Sequence, residues 1–275
     1  MDKFKTLLIF LWALFFFFII FLLIRHFLYL RWLKKLQSTP LDKTDIDVLN
    51  KMEVYNKLNE YEKKVIAFKI KRFKKEKEFI GIKINITNEI KTTIAFFACL
   101  PTIYNKYYCY DSLKYIYVYP YTIIYNHNNT ANGIMTKEEL LISGEAVGES
   151  VVIVWDEVKK EIHHNLGRNV IIHEFAHELD FENGIVDGIP PINKAFYKEW
   201  TKIMFNEYEK FKQKSILNRF LGKYSLIDSY AATNKAEFFA VMSEYYFMKP
   251  CLLKKHFPDI YKELKKFYKV QTDVC

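Results

Sequence analysis

Cysteine is sparse in this chain of 275 residues, with only Cys99, Cys109, Cys251 and Cys275. They stand far apart and form no CxxC pair, so a disulfide scaffold is not indicated and reduced or buried thiols are expected. Internal repeats and low-complexity tracts are absent outside one N-terminal run. The net charge of +9 contains no single long basic block. No recognised nucleic-acid module accompanies the lysines, so no nucleic-acid partner is expected. Apolar residues make up 51% of the chain and aromatics 17%, which excludes large-scale disorder. That is enough to pack one large domain, or one domain with appendages.

What is present starts near the N-terminus. Residues 7–24 (LLIFLWALFFFFIIFLLI) carry no charged or strongly polar side chain. At about 1.5 Å per residue this run covers about 27 Å, close to the hydrocarbon thickness of a bilayer. No small-x-small cleavage site follows it. The run passes directly into Arg25-His26 and residues 27–35 (FLYLRWLKK), so an uncleaved single-pass anchor is expected. Lys3 and Lys5 precede the span, whereas Arg25, Arg31, Lys34 and Lys35 follow it. That asymmetry predicts a membrane protein whose main domain faces the cytoplasm. Residues 38–45 (STPLDKTD) read as a polar linker. The expected division is an anchor with its juxtamembrane segment over 1–37 and a folded domain over 38–275.

Asp45 is placed to cap a helix running to about Glu78, with Val48, Met52, Tyr55, Leu58, Val65 and Phe68 as its apolar stripe. Its lysines (Lys63, Lys64, Lys69, Lys71, Lys74, Lys75 and Lys77) read as a solvated face near an anionic membrane surface. A second helix is expected over 88–100, ending before Pro101. Residues 115–125 (YIYVYPYTIIY) predict a strand broken at Pro120, and residues 148–155 (GESVVIVW) predict another. Residues 126–133 and 187–191 have turn chemistry. Further helices are expected over 195–213, 235–247 and 260–268, with an irregular stretch over 222–234. The sum is an α+β chain: a mostly helical domain with a small β-sheet, preceded by one transmembrane helix.

Residues 170–180 read VIIHEFAHELD. His173 and His177 are four positions apart, so on a helix both imidazoles project from one face and are able to share a metal ion. Glu174 points about 100° round the axis, able to reach a metal-bound water without ligating. A third ligand must come from elsewhere. The spacing HExxHxxGxxH is not completed, because Asp180 and Asn183 occupy its last two marked positions, and the only downstream histidine is His256. Residues 236–247 (AEFFAVMSEYYF) supply Glu237 and Glu244, seven apart on one face. A carboxylate among apolar neighbours is costly without an ion pair or a cation. Spacing alone leaves both glutamates open.

Several further segments follow in a fixed order: FFACLP at 96–101, VYPY at 118–121, Ser143-Gly144, and the strand ending in Trp155-Asp156. NVIIHEFAHELD at 169–180, Asn183-Gly184, IDSYAA at 227–232 and AEFFAVMSEYYF at 236–247 complete the set. In these motifs, over roughly residues 50–270, the chain resembles the bacterial zinc peptidases typified by Mlc titration factor A. The resemblance implies a zincin-like metallopeptidase fold with one Zn²⁺ per chain, held in gluzincin-like fashion by His173, His177 and Glu237. It makes Glu174 the general base and gives Tyr230 the role of hydrogen-bonding the oxyanion. Glu244 becomes a supporting residue, and Asp180 and Asp228 orient ligands. The implied substrate is a peptide or an unfolded protein segment. Family members can also bind a sugar-responsive transcriptional repressor. The alternative reading is therefore a regulatory protein-binding module in which zinc is mainly structural. Two features depart from the pattern: typical members are soluble, and the family's proline before AE is Lys235 here.

Overall fold

The helix that begins the chain outruns the apolar segment that prompts it. In a computed structural model, which describes residues 2–105, 108–121, 149–164, 167–220, 227 and 229–272, helix α1 covers Asp2–Ser38. Nothing between Leu7 and Ser38 breaks a helix, since the first proline is Pro40 and the basic residues after Ile24 are good helix formers. Most of its apolar side chains are exposed, and it is long and apolar enough to cross a membrane. The chain divides into two compact units, Met1–Leu41 and Asp42–Cys275.

In the second unit, the single helix expected from Asp45 to about Glu78 is instead three: α2 (Lys43–Leu49), α3 (Glu53–Asn56) and α4 (Glu60–Glu76). Asparagines cause the division. The Asn56 side chain donates to Asn50 O, and Asn59 starts α4 with a full capping box, its side chain taking Glu62 N–H while Glu62 takes Asn59 N–H. Such side chains compete with a continuing helix and favour a new start. The basic stripe also departs from a uniformly solvated face. Lys69, Arg72 and Lys77 are buried. Lys69 Nζ donates to Tyr108 O (2.6 Å) and Thr102 Oγ1 (3.0 Å), and Lys77 Nζ to Tyr110 O (2.5 Å) and Leu113 O (2.7 Å). Buried ammonium groups need such acceptors, and these bonds hold the 102–113 segment against α4.

A strand, β1 (Glu78–Gly81), follows α4 where the expected helix was to end. Helix α5 (Asn88–Cys99), capped by Thr87, leads through a 3₁₀ turn (Leu100–Thr102) to β2 (Tyr115–Tyr119); β3 is Ser150–Val154. The three strands are parallel in the order β1-β2-β3, and α5 serves as the crossover that a parallel pair requires. Ile116, Val118, Val151 and Ile153 face the core. Strand β2 stops at Tyr119. The anticipated loop at 126–133 and Ser143-Gly144 lie outside the described residues, as does Asp228.

The remaining helices are α6 (Trp155–His164), α7 (Val170–Phe181), α8 (Lys194–Phe220), α9 (Lys235–Met248), α10 (Pro250–His256) and α11 (Pro258–Tyr268), with a 3₁₀ turn at Ser229–Ala232 before α9. Helix α9 is mostly apolar and is buried from Phe238 to Phe247, as a central helix must be. It packs against α7. On the other side of α7, Phe175 meets Tyr110 (ring centroids 4.8 Å apart) and Phe73 (5.6 Å). Cys99 and Cys109 are free and buried, as expected. Cys251 departs from that expectation, since it is disulfide-bonded; pairing depends on spatial proximity, which spacing in the sequence does not reveal.

Candidate metal centre

Helix α7 starts at Asn169, whose side chain accepts Ile172 N–H at 3.0 Å. The buried Ile171, Ile172, Phe175 and Ala176 fix its rotation, which leaves His173 and His177 on the face toward α9. Helix α9 starts in the same way, with Asn234 accepting Glu237 N–H at 2.9 Å. Glu237 is thereby held in the first turn of one buried helix, opposite the histidines of another.

Three donor groups converge between these helices. The Nε2 atoms of His173 and His177 are 3.2 Å apart. Glu237 Oε2 lies 3.1 Å from His173 Nε2, and Oε1 lies 3.4 Å from His177 Nε2. Glu237 Oε2 is nevertheless buried without a hydrogen bond of acceptable geometry. Ligand atoms about 2.0–2.1 Å from a tetrahedral zinc stand about 3.3 Å from one another, which matches these separations. Two imidazoles and one carboxylate suit zinc in a catalytic type of site, where the fourth position is left for water or substrate. The residues fit the metal.

Burial disfavours a charged His173, but Glu237 and Glu244 outweigh it and lift its pKa to about 9. Burial pushes Glu237 up, and the two histidines more than reverse this, holding its carboxyl well below the usual range. Glu244 occupies the far side of His173: its Oε1 lies 2.7 Å from Nδ1, and its Oε2 accepts Asn169 N–H at 2.7 Å. The next amide, Val170 N–H, goes to Glu161 Oε2 at 2.7 Å. Burial raises Glu161 to about 7; the Val170 N–H pulls it down, while nearby Glu244 pushes it up. Sequence reasoning missed Glu161, because α6 carries no motif and only the fold brings this residue to the start of α7.

Glu174 is buried beside the two histidines in sequence. Tyr230, on the 3₁₀ turn, is half exposed with its ring 6.2 Å from that of His173. Asp180 does not turn to a histidine: it is fully buried and its Oδ2 accepts Gly188 N–H at 2.7 Å. The structure therefore brings together His173, His177, Glu237 and Glu244, places Tyr230 at the edge, and assigns Asp180 to the following loop.

Comparison with known proteins points to a metallopeptidase family. Residues 29–269 match the glucose-regulated metallo-peptidase M90 family. The chain belongs to that family. It is 30% identical over 225 residues to an uncharacterized protein of Synechocystis sp., covering 80% of each chain. It is 31% identical over 200 residues to the Mlc titration factor A of Edwardsiella ictaluri, covering 71% of this chain and 75% of the relative. Against the Mlc titration factor A of Serratia proteamaculans the identity is 30% over 187 residues, 67% of this chain and 70% of the relative. An M90 metallopeptidase fold implies a metal. The family match begins after the apolar run at 7–24.

Proposed function

We propose that the chain is a membrane-tethered zinc peptidase in which His173, His177 and Glu237 hold one Zn²⁺ and Glu174 is the general base. The observation that carries this reading is the convergence of three side chains, the two Nε2 atoms 3.2 Å apart and each 3.1–3.4 Å from a different oxygen of Glu237, one of which is buried without a hydrogen bond. Zinc, when bound there, supplies a Lewis acid that polarises a carbonyl and lowers the pKa of water toward about 7. Glu174 takes the proton of the attacking water and delivers it to the leaving amine. The Tyr230 hydroxyl, on a half-exposed ring beside His173, donates to the oxyanion as it forms. The substrate is a peptide or an unfolded segment. Residues 1–37 form the anchor and juxtamembrane segment, and 38–275 the peptidase domain, on the cytoplasmic side by the excess of Arg and Lys after the span.

A second reading draws on the relatives named Mlc titration factor A. In it the chain binds a regulatory protein and zinc is mainly structural. A purely structural site has no need of a buried Glu174 and fills its fourth position with protein, which favours the peptidase.

The test uses the full chain in detergent micelles, with zinc content measured alongside cleavage of a diverse peptide library. The parent is expected to hold one zinc and cleave; Glu174→Gln to keep the zinc and lose cleavage by at least about a hundredfold; Glu237→Ala to lose the zinc. Stoichiometric zinc without cleavage of any peptide would favour the regulatory module. A parent that takes up no zinc would sink both readings.

A further inference from the structure

One face of α9 carries two glutamates seven residues apart, and both reach His173 from opposite sides. Glu237 approaches Nε2. Glu244 approaches Nδ1 and is almost fully buried at 5% exposure. An ionised carboxylate accepts hydrogen bonds and donates none, so the 2.7 Å contact calls for a proton on Nδ1, and a metal at the site would then bind through Nε2. The second oxygen of Glu244 is engaged as well, by Asn169 N–H at 2.7 Å.

The surroundings make this a rigid arrangement. Asn169 is the cap of α7, and its side chain accepts Ile172 N–H while its own amide goes to Glu244. Glu161 arrives from α6 to take the adjacent Val170 N–H. Two successive amides at the start of α7 are thus met by two carboxylates from two other helices, at the end of the helix where negative charge is favoured. Glu244 links three features through one side chain: the tautomer of His173, the orientation of its ring, and the docking of α7 onto α9.

We propose that Glu244 is the positioning residue of the metal centre, fixing His173 with Nδ1 protonated and Nε2 directed at the site. This rests on the zinc reading above. Glu244 touches neither the metal position nor substrate, and acts only through His173.

The experiment measures zinc affinity of the full chain in detergent, by competition with a chromophoric chelator, for the parent, Glu244→Gln and Glu244→Ala. The Gln carbonyl oxygen still accepts Nδ1–H, but one oxygen now serves two donors and the charge is gone. Partners of metal-bound histidines are worth about tenfold to a hundredfold in affinity. Glu244→Gln is therefore expected near the tenfold end and Glu244→Ala near the hundredfold end. The visible d–d spectrum of the Co²⁺-loaded chain should be kept in the Gln variant and altered in the Ala variant. Equal zinc affinity in all three proteins overturns the proposal and leaves the zinc site standing. A loss in both variants that merely parallels a loss of folded protein by circular dichroism also overturns it, since Glu244 is then structural only. A parent chain that binds no zinc overturns the metal reading and this inference together.

Discussion

A single buried carboxylate shows how strongly the environment of a residue sets its chemistry. Asp180 is fully buried and accepts Gly188 N–H at 2.7 Å, while its Oδ1 has no hydrogen-bond partner. Burial raises its pKa from 3.8 to about 6, with the Gly188 N–H working against the rise. A folded-state pKa above the unfolded one means that the fold favours the protonated carboxyl. Its stabilising contribution is whole below about pH 4 and is lost as pH rises through about 6, amounting to roughly 3 kcal/mol over that window. Asp180→Asn is neutral throughout and should lack this slope. Urea midpoints of parent and variant at pH 4, 5, 6 and 7 would report it, and stability curves that run parallel would contradict it. The family resemblance makes Asp180 an orienter of ligands. The reason it is not lies three residues beyond His177, where the helix turns its side chain toward the loop that follows α7.

At the scale of elements, the centre depends on how two helix starts are placed against each other. The loop after α7 approaches the beginning of α9 so closely that a Cβ on Gly188 would stand 2.6 Å from Lys235 O, and Gly188 has φ +81°. Neither the space nor the backbone conformation suits a side chain. Gly188→Ala is expected to cost about 2 kcal/mol or more from strain at that backbone position. By shifting the first turn of α9 it should also displace Glu237 and weaken zinc binding. Thermal unfolding and zinc competition would check both; an unchanged affinity would show that the loop does not govern Glu237. The helix starts themselves were partly legible, since asparagines precede α4, α7 and α9. Their effect on the region from Asp45 to Glu78 is not legible in the sequence, because a capping asparagine inside an apolar stripe looks the same as a tolerated helix residue until its side chain is seen to bond.

For the whole molecule, a metal held as proposed would link two helices whose candidate ligands come together only in the folded chain. Zinc at a thousandfold excess over its dissociation constant should then stabilise the fold by about 4 kcal/mol. For a domain of this size that corresponds to a rise in Tm on the order of 10 °C. Differential scanning calorimetry before and after chelation would measure it, with Glu237→Ala as the protein in which chelation should change nothing. A parent Tm indifferent to chelator would argue against zinc as a resident of the site. Helix α1 adds a separate expectation: the chain should stay with the membrane fraction through an alkaline carbonate wash, and lose that association when residues 1–37 are removed.

The features visible in the sequence alone are those written in local periodicity. An uninterrupted apolar run makes a helix suited to lipid, and a four-residue histidine spacing makes one face of a helix. The β-branched and aromatic residues of IYVYP and VVIVW favour strands. These follow from backbone geometry and need no distant partner. Tertiary structure decided the rest. It set Glu237 within 3.4 Å of both histidines and Glu244 against the other nitrogen of His173, a choice that two glutamates on one helix face leave open. It also turned Lys69 and Lys77 inward onto backbone carbonyls, placed Glu161 at the start of α7, and paired β1 with β2. Each of these is a contact between segments far apart in the chain. Burial and hydrogen-bond satisfaction fix such contacts, and neither quantity exists until the chain has folded.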